Sequence, residues 1–450
     1  MKLKSTNYYA MDFNKKGELL LMSTLCKSYI KFSPEISDSV ISLLKSNKII
    51  EFNEKNSEIY KIILYNKGYL FNKEIDESLL VDVAHKTHVF SDNWLYLTIL
   101  PTNNCNFRCV YCYESNKEEY MDDQTEKNIL EFLRKNIKKY KKLRLNWFGG
   151  EPLLEKERVL RMSAEIDTIC KQNHIPMIGL MSTNGYELDI DTFQQLIRHR
   201  ILSYQICLDG DSCTHNVQRP HYKNSDSYEK ILKNLKDIKE NINSRTFKIG
   251  IRANMTPFVE ENMISHLKKL ANIFGNDKRF NIYFQGVRNW GGERFSKNKP
   301  ELINNEEDYY KKWYDIANDL GLNSAESLEF SPVYGLCEAN LKNGYVITYD
   351  GKVTKCSLAS YNDKYKNINE IGFIDDKGNI HINEEKQSKW IVNRIQSDSC
   401  YSCYAFPICC GGSCPYMKNI KGHKSCLPIK EMIKAHLRCL DAKGQIQKVL

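Results

Sequence analysis

The chain has 450 residues, of which 42% are hydrophobic and 27% are charged. A chain of this length can bury two or three cores, so its composition excludes a disordered or fibrous protein, and no run reaches the roughly 20 apolar residues of a membrane-spanning helix. The 65 Lys and Arg residues are scattered among 56 Asp and Glu residues rather than gathered into basic runs, so neither nucleic acid nor a membrane is an expected partner.

The first 90 residues predict a small module built from a hairpin and helices. Residues 1–7 lack the apolar stretch of a secretory signal, so a cytoplasmic enzyme is expected. Residues 8–13 and 19–25 flank a turn signal and predict a hairpin. Ser37 is the predicted cap of a first helix, and a strand at residues 69–71 follows a second helix.

Between about residues 94 and 320, apolar runs alternate with amphipathic stretches. The predicted strands are residues 94–100, 143–148, 177–182, 202–208, 247–253 and 280–284. Predicted helix faces lie between them, formed by Ile129, Leu130, Leu133 and Ile137 and by Ile264, Leu267, Ala271 and Phe274. Recurring strand–helix units predict an α/β fold whose parallel sheet curls into an open, partial six-unit barrel, since a closed barrel needs eight units.

After about residue 330 the chain becomes rich in turns and cysteine. Asn343-Gly344 and Asp350-Gly351 predict a hairpin whose first strand is residues 345–348. We expect metal ligation, more than a hydrophobic core, to hold this region together. The expected domains are therefore residues 1–90, 91–325 and 326–450.

The sixteen cysteines are the most informative residues. Because the cytosol is reducing and a chain of this size needs no disulfides, clustered thiols are better explained as metal ligands. One group is Cys105, Cys109 and Cys112, and the second is Cys337, Cys356, Cys400, Cys403, Cys409, Cys410, Cys414 and Cys426. The isolated cysteines are interpreted as small buried hydrophobic residues: Cys26, Cys170, Cys207, Cys213 and Cys439.

The first cysteine group follows the first predicted strand of the barrel, and other distinctive loops follow the next three. They are Gly149-Gly150-Glu151-Pro152, Ser182-Thr183-Asn184-Gly185 and Leu208-Asp209-Gly210. The carboxyl ends of parallel strands meet at one edge of the sheet, which is where functional groups collect in such folds. The four loops are therefore expected to surround one site.

The spacing of Cys105, Cys109 and Cys112 leaves three interpretations open. Structural zinc needs four ligands, and no nearby fourth Cys or His completes this set. A cubane 4Fe–4S cluster held by three cysteines keeps one iron open, and an open iron is a reaction site. The third interpretation is coincidental spacing.

The pattern Cys105-x3-Cys109-x2-Cys112, with Tyr111 before the last cysteine and Gly149-Gly150-Glu151-Pro152 after the second strand, resembles the radical S-adenosylmethionine (radical SAM) superfamily. The resemblance covers about residues 94–320. It implies a partial barrel and a 4Fe–4S cluster whose open iron binds S-adenosylmethionine. Reductive cleavage of that molecule then gives a 5′-deoxyadenosyl radical, which abstracts a hydrogen atom from the substrate.

The resemblance also implies roles for residues of the four loops. Gly149, Gly150 and Glu151 match the segment whose backbone meets the amino group of S-adenosylmethionine, and glycine permits that close approach. Tyr111 matches the residue near the adenine.

Four further residues are candidate contacts to the ribose or carboxylate of S-adenosylmethionine: Ser182, Asn184, Asp209 and Arg252. The fork of donors on Arg252 suits a carboxylate. Simpler alternatives are that Asn184 belongs to a turn, that Asp209 caps a helix and that Arg252 is a surface residue.

The second cysteine group resembles the SPASM extension found in radical SAM enzymes that modify peptides. The resemblance implies two auxiliary 4Fe–4S clusters. Cys337, Cys356 and Cys414 would hold the nearer cluster, and Cys400, Cys403, Cys426 and one of Cys409 and Cys410 would hold the outer one. The family usually has three residues between its last two clustered cysteines. Three residues separate Cys410 from Cys414, and four separate Cys409 from Cys414. Ligation by Cys409, by Cys410 or by both therefore stays open at this point. Two zinc sites are the alternative for the whole group.

The resemblance implies a peptide substrate. The N-terminal module is similar to the peptide-recognition element of ribosomal peptide maturases, a winged-helix-like unit that binds a leader peptide at its sheet edge. We therefore expect a maturase that installs a thioether or carbon–carbon crosslink in a precursor peptide and receives electrons from an external donor such as flavodoxin or ferredoxin. A formylglycine-forming sulfatase maturase and a non-catalytic iron–sulfur protein are the alternatives, and no catalytic base can be assigned.

Overall fold

A computed structural model describes residues 1–46, 48–324, 337–362, 365–391, 398–411, 414–417, 426 and 429–449. The N-terminal strands are β1 (Lys2–Ser5), β2 (Tyr9–Phe13), β3 (Leu19–Ser23), β4 (Ser28–Phe32), β5 (Ile50–Glu51) and β6 (Leu70–Asn72). The helices among them are α1 (Pro34–Lys45), α2 (Ile59–Asn66) and α3 (Glu77–Val89).

The N-terminal strands form two small sheets. The hairpin of β2 and β3 confirms the predicted pairing, and β4 continues it antiparallel. The second sheet has the order β5-β1-β6, so that β6 is an edge strand. The prediction that Ser37 caps α1 is wrong, because the helix already begins at Pro34, whose fixed φ suits a first helical position. Ser37 lies in the first turn, where its hydroxyl donates to the Ser33 carbonyl at 2.8 Å.

The central part of the chain contains six strands that confirm the six predicted ones. They are β7 (Trp94–Ile99), β8 (Lys142–Trp147), β9 (Met177–Thr183), β10 (Ile201–Cys207), β11 (Lys248–Met255) and β12 (Phe280–Gly286). Their helices are α4 (Asp123–Asn136), α5 (Lys156–Gln172), α6 (Ile190–Arg198), α7 (Ser212–Gln218), α8 (Ser227–Asn241), α9 (Pro257–Glu260), α10 (Met263–Phe274), α11 (Glu293–Asn298) and α12 (Glu306–Asp319).

Strands β7 to β12 are parallel and pair in chain order, as expected for a partial barrel. Alternate side chains such as Leu143, Leu145 and Trp147 are fully buried, whereas the intervening side chains are polar and half-buried. The predicted face of α10 is confirmed at Leu267 and Phe274 and is wrong at Ile264. Ile264 is 48% exposed, because Met263 is the residue that joins Leu267 in the core.

The sheet does not stop at β7. The C-terminal strands are β13 (Gly344–Ile347), β14 (Lys352–Thr354), β15 (Glu370–Ile374), β16 (Ile380–Ile382) and β17 (Gln447–Lys448). Strand β13 pairs parallel with β7, and β14 to β16 follow antiparallel, which gives one ten-stranded sheet. The predicted hairpin is confirmed, and its first strand covers the open edge of the barrel. The domain boundaries given above stay a prediction.

The C-terminal segment packs against the N-terminal module. The helices here are α13 (Lys366–Asn369), α14 (Glu384–Ile391), α15 (Asp398–Tyr401), α16 (Phe406–Cys409) and α17 (Ile429–Ala442). Strand β17 pairs parallel with β4, and the Arg438 guanidinium on α17 pairs with Asp12 and with Asp315, the latter at 3.1 Å. Within the described ranges, no helix is both long and apolar enough to cross a membrane.

Candidate active site and cysteine clusters

The first cysteine group lies in a loop that directly follows β7. A neighbouring segment runs antiparallel to this loop and is fastened to it by backbone hydrogen bonds. Arg108 N donates to Pro220 O at 2.8 Å, and Val110 N donates to Gln218 O at 3.0 Å. Backbone pairing therefore fixes the path of the loop that carries Cys105, Cys109 and Cys112, which we call the cluster loop (residues 105–112).

The three thiols of the cluster loop are close enough to influence one another. Burial raises the pKa of Cys109 to about 11, and the nearby Arg219 guanidinium opposes this shift. Burial also raises the pKa of Cys105 and Cys112, and each is raised further by the Cys109 thiol. Among the described residues, no three Cys, His, Asp or Glu side chains converge where a single metal ion would sit. A cubane cluster does not need its ligands to converge on one point, because each thiolate binds a separate iron. The three thiols are compatible with that arrangement.

The Gly149-Gly150-Glu151 loop lies against residues 102–104, directly before the cluster loop. Gly150 N donates to Thr102 O at 3.1 Å, and Glu151 N donates to Asn104 O at 2.8 Å. A Cβ atom on Gly150 would lie 2.1 Å from Asn104 O, so only glycine fits there without displacing the backbone. The two loops are thus in backbone contact immediately before Cys105.

The Glu151 side chain points into the protein. Its carboxylate accepts hydrogen bonds from Thr183 Oγ1 at 2.6 Å, from Asn184 N at 2.7 Å and from Leu153 N at 3.0 Å. Burial raises its pKa to about 7, while these hydrogen bonds oppose the shift. Glu151 therefore fastens the Gly149-Gly150-Glu151 loop to the loop that contains Thr183 and Asn184.

Tyr111 is at the centre of a buried polar cluster. Its hydroxyl donates to Asp209 Oδ2 at 2.6 Å and accepts hydrogen bonds from Arg219 Nη1 and from Asn254 Nδ2. Asp209 Oδ1 also accepts from Asn254 N at 2.8 Å. Arg219 Nε, buried beside Tyr111, has no hydrogen-bond partner in the described part of the chain, so a donor is available for a bound polar group.

Sequence reasoning missed Arg219 and Asn254. Asn254 carried a usable signal, because it lies two residues after Arg252 and so shares its side of β11. Arg219 carried none, because it reaches Tyr111 from the end of α7 through the tertiary fold. The alternative that Asp209 caps a helix is wrong, because Asp211 caps α7 through a hydrogen bond from Thr214 N.

The remaining candidate contacts are placed around this cluster. Arg252 Nε donates to Asn254 Oδ1 at 2.8 Å, which joins Arg252 to Tyr111 and Asp209. The Asn184 amide instead donates to Asn106 Oδ1 at 2.7 Å, so this side chain is engaged with the cluster loop. Ser182 is half-buried near the carboxyl end of β9.

The structure brings Cys337, Cys356 and Cys414 together. Burial raises the pKa of Cys337 to about 12, and the thiol of Cys414 raises it further. The pKa of Cys356 is raised by burial and then by both other thiols. The buried Lys355 side chain, next to Cys356, donates to Leu341 O at 2.6 Å and to Gly344 O at 2.7 Å.

A second set forms around Cys409. Burial raises its pKa to about 11, and the thiols of Cys403, Cys400 and Cys426 raise it further. The neighbouring Cys410 has a φ of 52°. It is fully buried in an apolar cluster with Tyr8, Val81 and Phe406. Cys400 and Cys403 also pack against this apolar cluster. The response of the Cys409 pKa to the other three thiols favours Cys409 as the ligand.

Comparisons with known proteins agree with this arrangement. Residues 99–288 match the model of the Radical SAM superfamily. The chain is 27% identical over 183 residues to an uncharacterized protein of Methanocaldococcus jannaschii, a match that covers 38% of this chain and 57% of that protein. It is 23% identical over 334 residues to the Cys-type anaerobic sulfatase-maturating enzyme of Clostridium novyi, covering 69% of this chain and 85% of that protein.

A similar fold occurs in the structure of native anSMEcpe with bound AdoMet and Kp18Cys peptide. The TM-score is 0.54 at 18% sequence identity, and the match covers 78% of this chain and 100% of that one. Members of the matched superfamily bind a 4Fe–4S cluster and S-adenosylmethionine, and the cluster loop and the Tyr111 site offer thiols and a buried donor for these groups. Residues 99–288 of this chain are a radical SAM domain.

Proposed function

We propose that this enzyme matures a ribosomally made precursor peptide by installing a thioether or carbon–carbon crosslink. The observation that carries the proposal is the sorting of ten cysteines into three separate sets, one on the barrel and two in the C-terminal region. When bound, the cluster and S-adenosylmethionine supply the radical that abstracts a hydrogen atom. The chain's own residues bind these groups, orient them and exclude water.

The proposed binding roles follow the placement of the residues. Cys105, Cys109 and Cys112 hold the cluster. The backbone of Gly149, Gly150 and Glu151 and the side chains of Tyr111, Ser182, Asp209 and Arg252 line the site for S-adenosylmethionine, with Arg219 and Asn254 added by the geometry. We propose that Asn184 supports the cluster loop through Asn106 rather than contacting the cofactor.

We propose that the two C-terminal sets hold auxiliary clusters. Cys337, Cys356 and Cys414 form the nearer set, which leaves one ligand position to be filled, and Cys400, Cys403, Cys409 and Cys426 form the outer set. A crosslink is an oxidation, since the substrate loses two hydrogens. Thiolate-bound clusters near the barrel give the second electron a place to go.

The N-terminal module supports a peptide substrate. Edge strand β6 presents backbone groups to which an extended peptide can pair. The helix that follows it, α3, carries exposed apolar side chains, with Leu79 58% and Val83 56% exposed. Contiguous exposed apolar side chains are typical of binding surfaces. We propose that this edge and helix bind the leader of the precursor.

The second candidate function is formation of formylglycine from a Cys or Ser residue of a peptide. It is favoured by the similarity to the sulfatase-maturating enzyme of Clostridium novyi, which extends over 85% of that protein. The N-terminal sheets and their α17 and β17 contacts favour the crosslinking enzyme, because they supply a separate surface for a leader.

The test is anaerobic incubation with S-adenosylmethionine, dithionite and either of two peptides. One is the product of any short open reading frame found beside this gene, and the other is a sulfatase-type peptide containing a single Cys. We expect the first peptide to lose two hydrogens and to resist fragmentation between the linked residues. An aldehyde that reacts with a hydroxylamine probe, on either peptide, would instead establish formylglycine formation. Cys109→Ala should abolish 5′-deoxyadenosine and product together, whereas Cys403→Ala should spare some 5′-deoxyadenosine and end peptide turnover.

A further inference from the structure

One side of the cluster loop lies just beneath the protein surface. Tyr222 N donates to Asn106 O at 2.9 Å, and the segment that includes Gln218 and Pro220 pairs with Val110 and Arg108. Tyr222 itself is 52% exposed. The exposed Tyr222 therefore belongs to a segment that pairs directly with the loop that carries Cys105, Cys109 and Cys112.

This surface is basic and aromatic. Two cationic groups lie near the Tyr222 ring. The Lys223 ammonium is 4.9 Å from the ring centre, and the Arg108 guanidinium is 5.7 Å from the ring centre. Two acidic groups lie nearby and keep their charges. Burial lowers the pKa of His221 and the Glu187 carboxylate partly opposes this, while Asp226 accepts the hydrogen bond from Glu229 N that caps α8. We call Arg108, Tyr222 and Lys223 the donor patch.

We propose that the donor patch is where an acidic electron-carrier protein docks to reduce this enzyme. This inference rests on the proposed function, which requires one-electron reduction of a cluster held by Cys105, Cys109 and Cys112. In the step, the carrier's flavin or iron–sulfur centre is oxidised by one electron and the enzyme is reduced by one. Opposite charges on the two proteins speed their encounter, and an exposed aromatic ring supplies contact area.

The described part of the chain offers a second basic surface, which is the alternative docking site for the electron carrier. A cleft of about 760 Å³ is lined by Lys239, Arg245 and Lys278, among others. It lies at the amino ends of β11 and β12, whereas the cluster loop follows the carboxyl end of β7. The eight residues of β11 span roughly 25 Å. Because electron transfer slows steeply with distance, the donor patch is the better entry point.

The test compares Lys223→Glu with the matched control Lys278→Glu in the full-length, cluster-loaded enzyme. Both positions are exposed lysines, so both variants are expected to fold. The first readout is the Kd for oxidised flavodoxin at low ionic strength. The second is the rate of 5′-deoxyadenosine formation without peptide, driven either by reduced flavodoxin or by dithionite, which is too small to need a docking surface.

We expect Lys223→Glu to raise the Kd for flavodoxin about tenfold and to slow the flavodoxin-driven rate similarly, with the effect shrinking as salt is added. The dithionite-driven rate should stay unchanged, and Lys278→Glu should behave as wild type. An unchanged Kd for Lys223→Glu, an equal loss with both reductants, or a larger effect of Lys278→Glu would each overturn the proposal. If wild type forms no 5′-deoxyadenosine with dithionite, the proposed function fails instead, and the Kd comparison still decides the docking surface.

Discussion

Replacing Gly150 with alanine tests whether cofactor chemistry needs the contact between the Gly149-Gly150-Glu151 loop and residues 103–104, directly before the cluster loop. The new Cβ would lie 2.1 Å from Asn104 O and 2.8 Å from Asn103 O, and real Cβ atoms essentially never come closer than 3.0 Å. The backbone beside Cys105 must therefore move by about 1 Å. We expect a loss of about 1–3 kcal/mol in the free energy of unfolding and a fall of about 100-fold in 5′-deoxyadenosine formation.

The assay is anaerobic 5′-deoxyadenosine formation with dithionite, normalised to bound iron, together with urea unfolding of the same preparation. The matched control is Gly444→Ala. A Cβ there meets nothing within 4 Å, although its φ of +67° adds backbone strain. The control should keep its rate. If Gly150→Ala cleaves S-adenosylmethionine at the wild-type rate, contact between the two loops does not position the site.

Three further predictions follow from named contacts. Iron and sulfide analysis should show that Cys409→Ala loses the iron of one cluster, whereas Cys410→Ala retains it. The reverse result would contradict the assignment of Cys409 to the outer set. Tyr111→Phe should lower the free energy of unfolding by about 1–3 kcal/mol, because the Arg219 and Asn254 donors and the Asp209 carboxylate each lose a hydrogen-bond partner. It should also weaken S-adenosylmethionine binding in calorimetry. An unchanged unfolding free energy and an unchanged affinity would contradict this. Burial raises the pKa of Glu151 from 4.5 to about 7, so its contribution to stability is complete below pH 4.5 and is lost as the pH rises through 7. Between pH 4.5 and pH 7, the unfolding free energy of the wild-type apoprotein should fall by about 3 kcal/mol relative to that of Glu151→Gln, as measured by urea unfolding. A difference between the two proteins that does not change with pH would show that the Glu151 carboxyl does not titrate in this range.

The sequence was most informative where local pattern determines structure. The six barrel strands were predictable because β-branched and aromatic runs alternate with amphipathic helices. The loops at their carboxyl ends followed from the topology of parallel sheets. The face of α10 was misread at Ile264, because two adjacent apolar residues, Met263 and Ile264, fit a helical repeat almost equally well.

Long-range contacts were beyond sequence reasoning. Nothing in residues 447–448 indicates that they pair with β4, or that Arg438 meets Asp12 from the other end of the chain. The ligand ambiguity between Cys409 and Cys410 is similar. Spacing admits both thiols, and only the fold shows that Cys410 ends α16 with a left-handed φ and is buried in an apolar cluster.

The contact between the two ends of the chain also changes how the N-terminal module should be tested. Deleting residues 1–85 would remove the partner of β17 and leave Arg438 and Asp441 without their ion pairs with Asp12 and Lys31. Loss of peptide affinity in such a deletion would not distinguish recognition from unfolding. Substitution of the exposed Val83 by Glu leaves the core intact and is the better probe of leader binding.

The central claim is that Cys105, Cys109 and Cys112 hold an iron–sulfur cluster with one iron open to S-adenosylmethionine. Mössbauer spectroscopy of anaerobically prepared protein, recorded with and without S-adenosylmethionine, tests it most directly. We predict cubane signals in which one iron site of the Cys105 cluster changes when S-adenosylmethionine is added, and loss of that change in Cys109→Ala. Zinc in place of iron, or iron spectra that do not respond to S-adenosylmethionine, would contradict the claim.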